Sequence, residues 1–486
     1  MKKRIIIVGA GFTGMASAAC LAREGFEVEV YEKHDIPGGR ARHFSSEGFT
    51  FNLGPQYLFL PEIVDGFYRG FNFPIRDYLN YRKLNPLFRI VHPDKEVYDI
   101  PGDEKLMEVF FNTYAEGKKD PLKLYLEKAE RYYDSLILSA ESSKENPSAD
   151  SLLRKITSGS HFQIVKKLFR DYHLINFLEM PFPLIGEVPI HNTGISFALN
   201  YSLLKKGLIF PEGGMYSLVE AMIKLLDRLN IPVHISSPVE SYDVIDDRVA
   251  GIITHGKNFH ADYFIAATDY YHAEQLLPGE YRNYNENDWG KEDQLYSSFL
   301  FYLGISKKLS KLAPNTIINN FDPTSRNKTG LPRLKGLEIP KVYVFCPSKL
   351  NPDSAPKGME NLVVRTLIPP GVEDHGKIRE HYFEKTIELL ENSVGEPIHD
   401  HIIYKKTFTH SDFESEYGTR EGRTFGWMHT QYAQNKGIKK IQNAHLKNFF
   451  YAEQPVLTGA GISSSLLSGE LTARAVMQHH NSLLID

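Results

Sequence analysis

The sequence predicts an α/β fold in which one parallel-sheet domain, split along the chain, carries a helical insertion and a mixed-sheet insertion. Three observations predict it. A buried-strand pattern, Ile5 to Val8, runs directly into a glycine turn and an alanine-rich helix. A second strand pattern, Val28 to Glu32, follows at the spacing of a βαβ unit. Further on, the texture changes first to charged and aromatic helix-like segments and then to strand-like runs broken by Pro- and Asn-rich turns. A chain of 486 residues exceeds one ordinary core. The expected division is 1–103 plus 205–281 plus 425–486 for the split domain, 104–204 for the helical insertion and 282–424 for a substrate domain built on the mixed sheet.

The later elements follow the same logic. Leu122 to Glu130 alternates apolar and charged residues as a helix of the insertion. Leu218, Val219, Met222, Leu225, Leu226 and Leu229 recur at helical spacing after a glycine turn, and strands are expected at Val233 to Ile235 and Tyr263 to Ala267. Ser298 to Leu303 and Val342 to Phe345 read as strands of the mixed sheet, Phe449 to Ala452 as a strand of the last piece of the split domain, and Ser465 to Met477 as a helix after it. The polar run Ser142 to Ser151 reads as disordered.

Composition narrows the function. A formal net charge of -4 lacks the basic excess of a nucleic-acid binder, so nucleic acid is not an expected partner. Cys20 and Cys346 are too few for a disulfide framework or a cysteine metal site, and no metal is expected. The apolar start is cut short by Gly9, and no run approaches the ~20 apolar residues needed to span a bilayer. The 27 tyrosines and 30 phenylalanines concentrate mid-chain, which reads first as core packing and second as a large apolar pocket.

Gly9-Ala10-Gly11-Phe12-Thr13-Gly14 stands between strand and helix as the fingerprint of a Rossmann-like dinucleotide site. Gly9 permits the tight turn, Gly11 lets a diphosphate approach the backbone, and Gly14 lets helix and strand pack closely. The helix directs its free N–H groups and positive dipole end at the diphosphate. Glu32, at the end of the second strand and about 20 residues on, is placed for the ribose hydroxyls and disfavours a 2′-phosphate. This fingerprint alone leaves NAD and FAD both open.

Gly38-Gly39-Arg40 and Gly48-Phe49-Thr50-Phe51-Asn52-Leu53-Gly54-Pro55 come next. They resemble the extended motif of the flavoprotein superfamily of amine oxidases, protoporphyrinogen oxidases and carotenoid desaturases. That resemblance implies FAD, with the Gly-Gly-Arg residues around the diphosphate and the Gly-Pro segment beside the flavin ring. Arg40 would then give charge-assisted hydrogen bonds to anionic oxygens.

Within the superfamily the chain resembles the bacterial phytoene desaturase family. Phe210-Pro211-Glu212-Gly213-Gly214-Met215 is similar to the family's Tyr-Pro-Lys-Gly-Gly-Met, and Phe408-Thr409-His410-Ser411-Asp412-Phe413 to its Thr-Pro-x-Asp-Phe segment. Thr424-Phe425-Gly426 and Met180 to Gly186 add to the likeness, and Val239 inherits a backbone contact to the adenine. The implied cofactor-binding set is Gly9, Ala10, Gly11, Phe12, Thr13, Gly14, Glu32, Lys33, Gly39, Arg40, Gly54, Pro55, Gln56, Tyr57, Val239, Glu453, Gly461, Ser464 and Ser465. The chain departs from the family at Glu453 to Ser463, which keeps Gly459-Ala460-Gly461 but lacks the family's His-Pro pair and later Pro, and at Asn435-Lys436-Gly437, where the family has Arg-Pro. Substrate and regiochemistry therefore stay open. Gly459-Ala460-Gly461 is not expected to form a second, nicotinamide site, since no further strand and acid follow before Asp486.

The resemblance implies oxidation of an isoprenoid C–C single bond, with hydride leaving an allylic carbon and a proton leaving its neighbour. An amine or porphyrinogen oxidase, and a polyene isomerase or saturase working with reduced flavin, are the alternatives on the same fold. No catalytic side chain is named, because a stabilised allylic cation loses its proton readily. The implied partners are an apolar polyene or isoprenoid, a membrane surface, and an external electron acceptor, oxygen or quinone. The implied location is the cytoplasm, peripherally on the cytoplasmic membrane. Phe162 to Arg170 is basic and amphipathic; an internal helix is its ordinary reading and a headgroup-layer helix the other.

Overall fold

The computed structural model describes residues 2–92, 95–114, 121–142, 161–179, 195–289, 297–320, 338–368, 372–424, 441–452 and 461–483. The run 143–151, Met180 to Gly186, Asn435 to Gly437 and Glu453 to Ala460 lie outside them.

Arg4–Val8 is the centre of a five-stranded sheet ordered Phe449–Tyr451, Tyr263–Ala266, Arg4–Val8, Glu27–Tyr31, Val233–His234. Every pairing is parallel. A parallel sheet is covered on both faces, which is why the first strand is continuously apolar. Ile5 and Ile7 point to one core, and Ile6 and Val8 to the other. The first core receives the helices Phe12–Arg23, Ser217–Arg228 and Ile462–Ser482. The second receives an antiparallel meander of Ser241–Ile245, Arg248–Thr254 and Lys257–His260, through Tyr242, Val249 and Ile252. The final helix begins three residues earlier than its apolar pattern suggests and runs five residues longer.

The mixed sheet has seven strands, ordered Ile402–Phe408, Ser297–Ile305, Glu360–Ile368, Lys341–Phe345, Asn315–Asn319, Phe88–Val91, Val97–Ile100. Neighbours are antiparallel except Asn315–Asn319 with Phe88–Val91. Alternation along its strands separates two faces. Phe299, Phe301, Val342, Leu362 and Val364 pack with Tyr382, Phe383, Ile387 and Leu390 of the helix Gly376–Val394. Leu300, Tyr302, Tyr343, Phe345 and Val363 face the other way, toward the large core shared with the parallel-sheet domain.

Two differences from the sequence reading stand out. Phe88–Val91 and Val97–Ile100 fall within 1–103, yet their hydrogen bonds are made to the mixed sheet, since sheet membership depends on a partner more than 200 residues away in sequence. Gly376–Val394 is a 19-residue helix inside a stretch read as strands and turns. Its buried Tyr382, Phe383, Thr386, Ile387 and Leu390 carry the helical period, diluted by the charged residues of its exposed side.

The insertion is helical as expected: Glu104–Tyr114, Pro121–Ser142, His161–Leu168, Tyr172–Glu179 and Ile195–Tyr201. Tyr125, His161 and Asn200 tie three of these helices together inside it, with the Tyr125 hydroxyl 2.7 Å from His161 Nε2 and the Asn200 amide donating to that hydroxyl at 2.7 Å. In the basic amphipathic segment, Val165 and Phe169 are buried in the core while Lys166, Lys167 and Arg170 face out. The burial of Val165 and Phe169 accords with the ordinary, internal-helix reading of that pattern. Among the described residues no helix is long and apolar enough to cross a membrane.

Candidate active site

A cavity of about 380 Å³ opens where the parallel strands end. Its walls come from the residues just past four strand ends: Gly9, Glu32, Ala267 and Ala452. Ligands of open α/β sheets bind at the carboxyl ends of the strands, because loops there are free to diverge. The seven-stranded sheet closes the other end with Leu300, Tyr343, Phe345, Val363 and Arg365.

The glycine turn has the geometry its sequence implies. Gly9 sits at φ +109°, and a side chain at Gly14 would strike the Gly9 carbonyl oxygen and come within 3.0 Å of Ala267 Cβ. Helix and strand meet there without room for a methyl group. Gly11 differs: its backbone is extended, and an added Cβ would find only Gly39 Cα, at 4.0 Å. That space belongs to the cavity. Gly11, Phe12 and Thr13 open the helix Phe12–Arg23 on the cavity wall, and Gly11 caps it with no side-chain acceptor. A second helix, Ile462–Ser482, also begins at the cavity, with Gly461, Ser464 and Ser465 in its wall. Two positive dipole ends thus converge on one space, an arrangement that favours anionic groups.

Glu32 is 5% exposed and lines the cavity. It accepts from the Ala10 N–H at 2.8 Å and the His34 N–H at 3.0 Å, and its Oε1 lies 2.8 Å from His34 Nδ1. Burial pushes the carboxyl up, but the His34 side-chain and backbone bonds and the Ala10 bond outweigh it and hold it below the usual range. On the other side, His34 Nε2 lies 3.0 Å from Glu416 Oε2, which also accepts from Arg42 at 2.9 Å. Arg42 Nε in turn donates to the Gly39 carbonyl at 3.0 Å. A carboxylate on each ring nitrogen makes His34 an imidazolium, and these bonds raise it although burial lowers it. Glu416 is held down to about 2, chiefly by the hydrogen bond from His34 and, against burial, by Arg42. The chain Glu32, His34, Glu416, Arg42 fastens the parallel-sheet domain to the helix His410–Tyr417, with Glu32, His34 and Glu416 in the cavity wall.

This clasp has a pH signature. The folded His34 titrates above its ordinary 6.5, so its contribution is complete below about 6.5 and fades as pH rises through the higher folded value. Glu416 acts in the opposite sense, complete above its ordinary 4.5 and lost as pH falls toward 2. The clasp is therefore strongest between those two ordinary values. The gap in thermal midpoint between the native chain and His34→Gln is expected to narrow as pH is raised from about 6 to about 9. A gap constant over that range would show that His34 is not charged.

Arg40 lines the cavity with its guanidinium 4.0 Å from Asp269 and 5.5 Å above the Tyr417 ring. Gly54, Pro55, Gln56 and Tyr57 form the wall between the glycine turn and the seven-stranded sheet. Gln56 donates to the Asn52 and Gly54 carbonyls at 3.2 and 3.0 Å, and its Oε1 is buried with no donor among the described residues. That orphaned acceptor suits a ligand N–H. Lys33, Gly39 and Val239 also reach the cavity; Ala10 and Gly14 support it from behind, and Glu453 lies outside the described residues. His34, Arg42, Glu416, Asp269 and Arg365 were not picked out by sequence reasoning. Only Arg365 left a signal, as a lone charge in the apolar run Leu362 to Ile368.

No group of three or more metal-ligating side chains occurs among the described residues. A parallel-sheet dinucleotide cradle roofed by a mixed sheet defines an oxidoreductase that works through a bound dinucleotide. The model of the flavin containing amine oxidoreductases matches residues 12–477. The chain belongs to that family, and FAD is its cofactor. It is similar to a carotenoid 3,4-desaturase of Haloarcula japonica, 27% identical over 98% of each chain. It is also similar to a zeta-carotene-forming phytoene desaturase of Myxococcus xanthus, 25% identical over 98% of this chain and 94% of that one. In fold it resembles an oxidoreductase from Methanosarcina mazei, with a TM-score of 0.64 at 17% identity over 98% of this chain and 100% of the other. The cavity fits FAD: open space at Gly11, two helix N-termini, the buried acid Glu32 in its wall and, among the described residues, an orphaned acceptor at Gln56.

Proposed function

We propose that the protein is a desaturase of carotenoid-type polyenes, converting an isoprenoid C–C single bond into a double bond. The observation that carries this reading is the cavity's far end, where one face of the seven-stranded sheet presents Leu300, Val363, Phe345 and Tyr343 beside Tyr57 and Phe59. An apolar wall of that kind suits a hydrocarbon chain and excludes water, so a cation formed on the substrate is not quenched. The desaturases among its relatives support the same reading.

Bound FAD supplies a hydride acceptor at the flavin N5. The protein's residues hold and orient. Gly11, Thr13 and Arg40 would hold the diphosphate, Glu32 the ribose, Val239 the adenine, and Gly54 to Tyr57 with Gly461 to Ser465 the ring system. Hydride departure from an allylic carbon leaves a cation spread along the polyene, and loss of a proton from the next carbon completes the double bond. Among the described residues, the sheet end of the cavity contains no carboxylate or imidazole, so no side chain is assigned as the base.

The substrate would be drawn from a membrane and the reduced cofactor reoxidised by oxygen or a quinone, with the protein lying peripherally on the cytoplasmic membrane. Leu106, Val109 and Leu124 of the insertion, each more than half exposed beside Lys105 and Lys123, are suited to a headgroup layer. The test is to express the chain in bacteria that make phytoene, hydroxylated carotenoids or shorter analogues and to extract their pigments. A red shift with the loss of two hydrogens per step is expected. A change of geometry at constant mass would assign an isomerase, and unchanged pigment in every host would overturn the desaturase reading.

A further inference from the structure

We infer, on the desaturase reading, that Leu60 sets how far a polyene extends from the flavin toward the helical insertion, and that the Ser463 hydroxyl is the positioning group that holds Leu60 in place.

Leu60 has φ +52° and ψ +53°, in the left-handed region that a bulky side chain rarely adopts. Glycine would take that conformation without strain. Leucine keeps it only where its surroundings impose it, and strain of this kind gathers at ligand sites. Leu60 is buried and lines the cavity. It packs with Leu199 of the helix Ile195–Tyr201 and with Leu467 of the final helix in an apolar cluster apart from the main core. Among the described residues, Leu199 is the insertion's one contribution to the cavity wall. Leu60 thus stands where the cavity meets the insertion, just past the Gly54 to Tyr57 segment that would border the flavin ring.

Two neighbours impose the conformation. Pro61 follows at the start of the helix Pro61–Arg69, and a residue before proline is steered away from the right-handed helical region. That leaves the extended conformation as the relaxed alternative. Ser463 decides against it: its hydroxyl donates to the Phe59 carbonyl at 2.6 Å and reaches the Leu60 carbonyl at 3.1 Å. Those two carbonyls bracket the two backbone torsions of Leu60. A left-handed residue points both to the same side, whereas an extended one points them apart, so one hydroxyl reaches both only in the first case. Ser465 shows the ordinary habit of a helix serine, bonding back to the Gly461 carbonyl at 2.9 Å. Ser463 instead bridges 404 positions of sequence. With the turn so held, the branched end of Leu60 limits the apolar space between ring and insertion. One methylene group more or less in such a space changes selectivity by about tenfold or more.

The experiment uses the FAD-loaded enzyme with detergent-dispersed phytoene and a hydroxylated carotenoid, each paired with a homologue one isoprene unit longer. It reads the ratio of kcat/KM, longer over shorter, within one preparation, which cancels differences in cofactor loading. Leu60→Ala is expected to raise that ratio about tenfold. Leu199→Ala, across the same cluster, is expected to move it in the same direction. Ser463→Ala is expected to shift it severalfold by letting Leu60 relax. In a Leu60→Gly background no side chain is left to place, and there Ser463→Ala is expected to leave the ratio alone. An unmoved ratio in Leu60→Ala and Leu199→Ala overturns the inference and leaves the desaturase reading standing. So does an unmoved ratio in Ser463→Ala, or a shift that persists in the Leu60→Gly background, which would have the hydroxyl act on substrate or ring directly. Conversion of none of the polyenes by the native enzyme overturns the desaturase reading itself, and this one with it.

Discussion

Gly11→Ala and Gly14→Val are expected to fail in different ways, although they sit three residues apart in one loop. Gly11 has extended backbone angles that any residue adopts, and its added methyl group meets nothing closer than 4.0 Å. The alanine variant should therefore fold with a thermal midpoint near that of the native apoprotein. What it fills is cavity space proposed here for the diphosphate, so contacts to the charged oxygens would be lost. Each hydrogen bond to a charged group contributes about 1.5–3 kcal/mol, and FAD affinity is expected to fall about 100-fold or more. Gly14→Val acts on the scaffold. Its side chain would drive into the Gly9 carbonyl and the Ala267 side chain, both held by the sheet. Overpacking of this kind costs about 3 kcal/mol or more. That variant should be colourless and melt well below the native apoprotein. Calorimetry of both apoproteins, followed by FAD titration, separates the two effects. A Gly11→Ala protein that binds FAD normally would remove the diphosphate from this turn.

The second large effect is expected at Glu32. Truncation to alanine removes the acceptor proposed here for a ribose hydroxyl and strips the Ala10 and His34 N–H groups of their carboxylate. Leaving a buried donor unpaired costs about 1–3 kcal/mol, and here two are affected. Glu32→Ala should therefore weaken FAD by about 100-fold and lower the apoprotein's midpoint as well. Glu416→Gln is the comparison. It loosens only the outer half of the clasp, through His34 and Arg42, and leaves both inner N–H bonds to Glu32 in place. Its loss of FAD affinity is expected to be smaller by an order of magnitude. Equal losses in the two variants would mean that Glu32 acts only through the clasp and not on the ribose.

Ile5 to Val8, the glycine turn after them and the acid at position 32 were legible because each is a local pattern with one physical cause. Buried strands are continuously apolar, close approach excludes side chains, and an acid at a strand end faces the ligand. The flavin class was legible for a related reason: Gly39, Arg40, Gly54 and Pro55 extend the same wall within 50 residues of the turn. The helix Gly376–Val394 also had a local signal, in its buried Tyr382, Phe383, Ile387 and Leu390, which the strand-like runs on either side obscured.

Contacts between distant segments were another matter. His34 meets Glu416 across 382 residues of chain, and nothing near either one announces the other. Phe88–Val91 becomes part of the roof only because Asn315–Asn319 lies beside it. Arg365 is visible in the sequence as a charge among valines and leucines, but whether it faces the helix Gly376–Val394 or the cavity depends on which face of the seven-stranded sheet turns toward the cradle. One residue of register would exchange those faces. Residue order along the chain was thus enough to mark the dinucleotide cradle, since a backbone turn and its helix are built from neighbours. The shape and charge of the cavity's sheet end came from strands brought together out of order, where burial and pairing are set by the assembled sheet and not by any one segment.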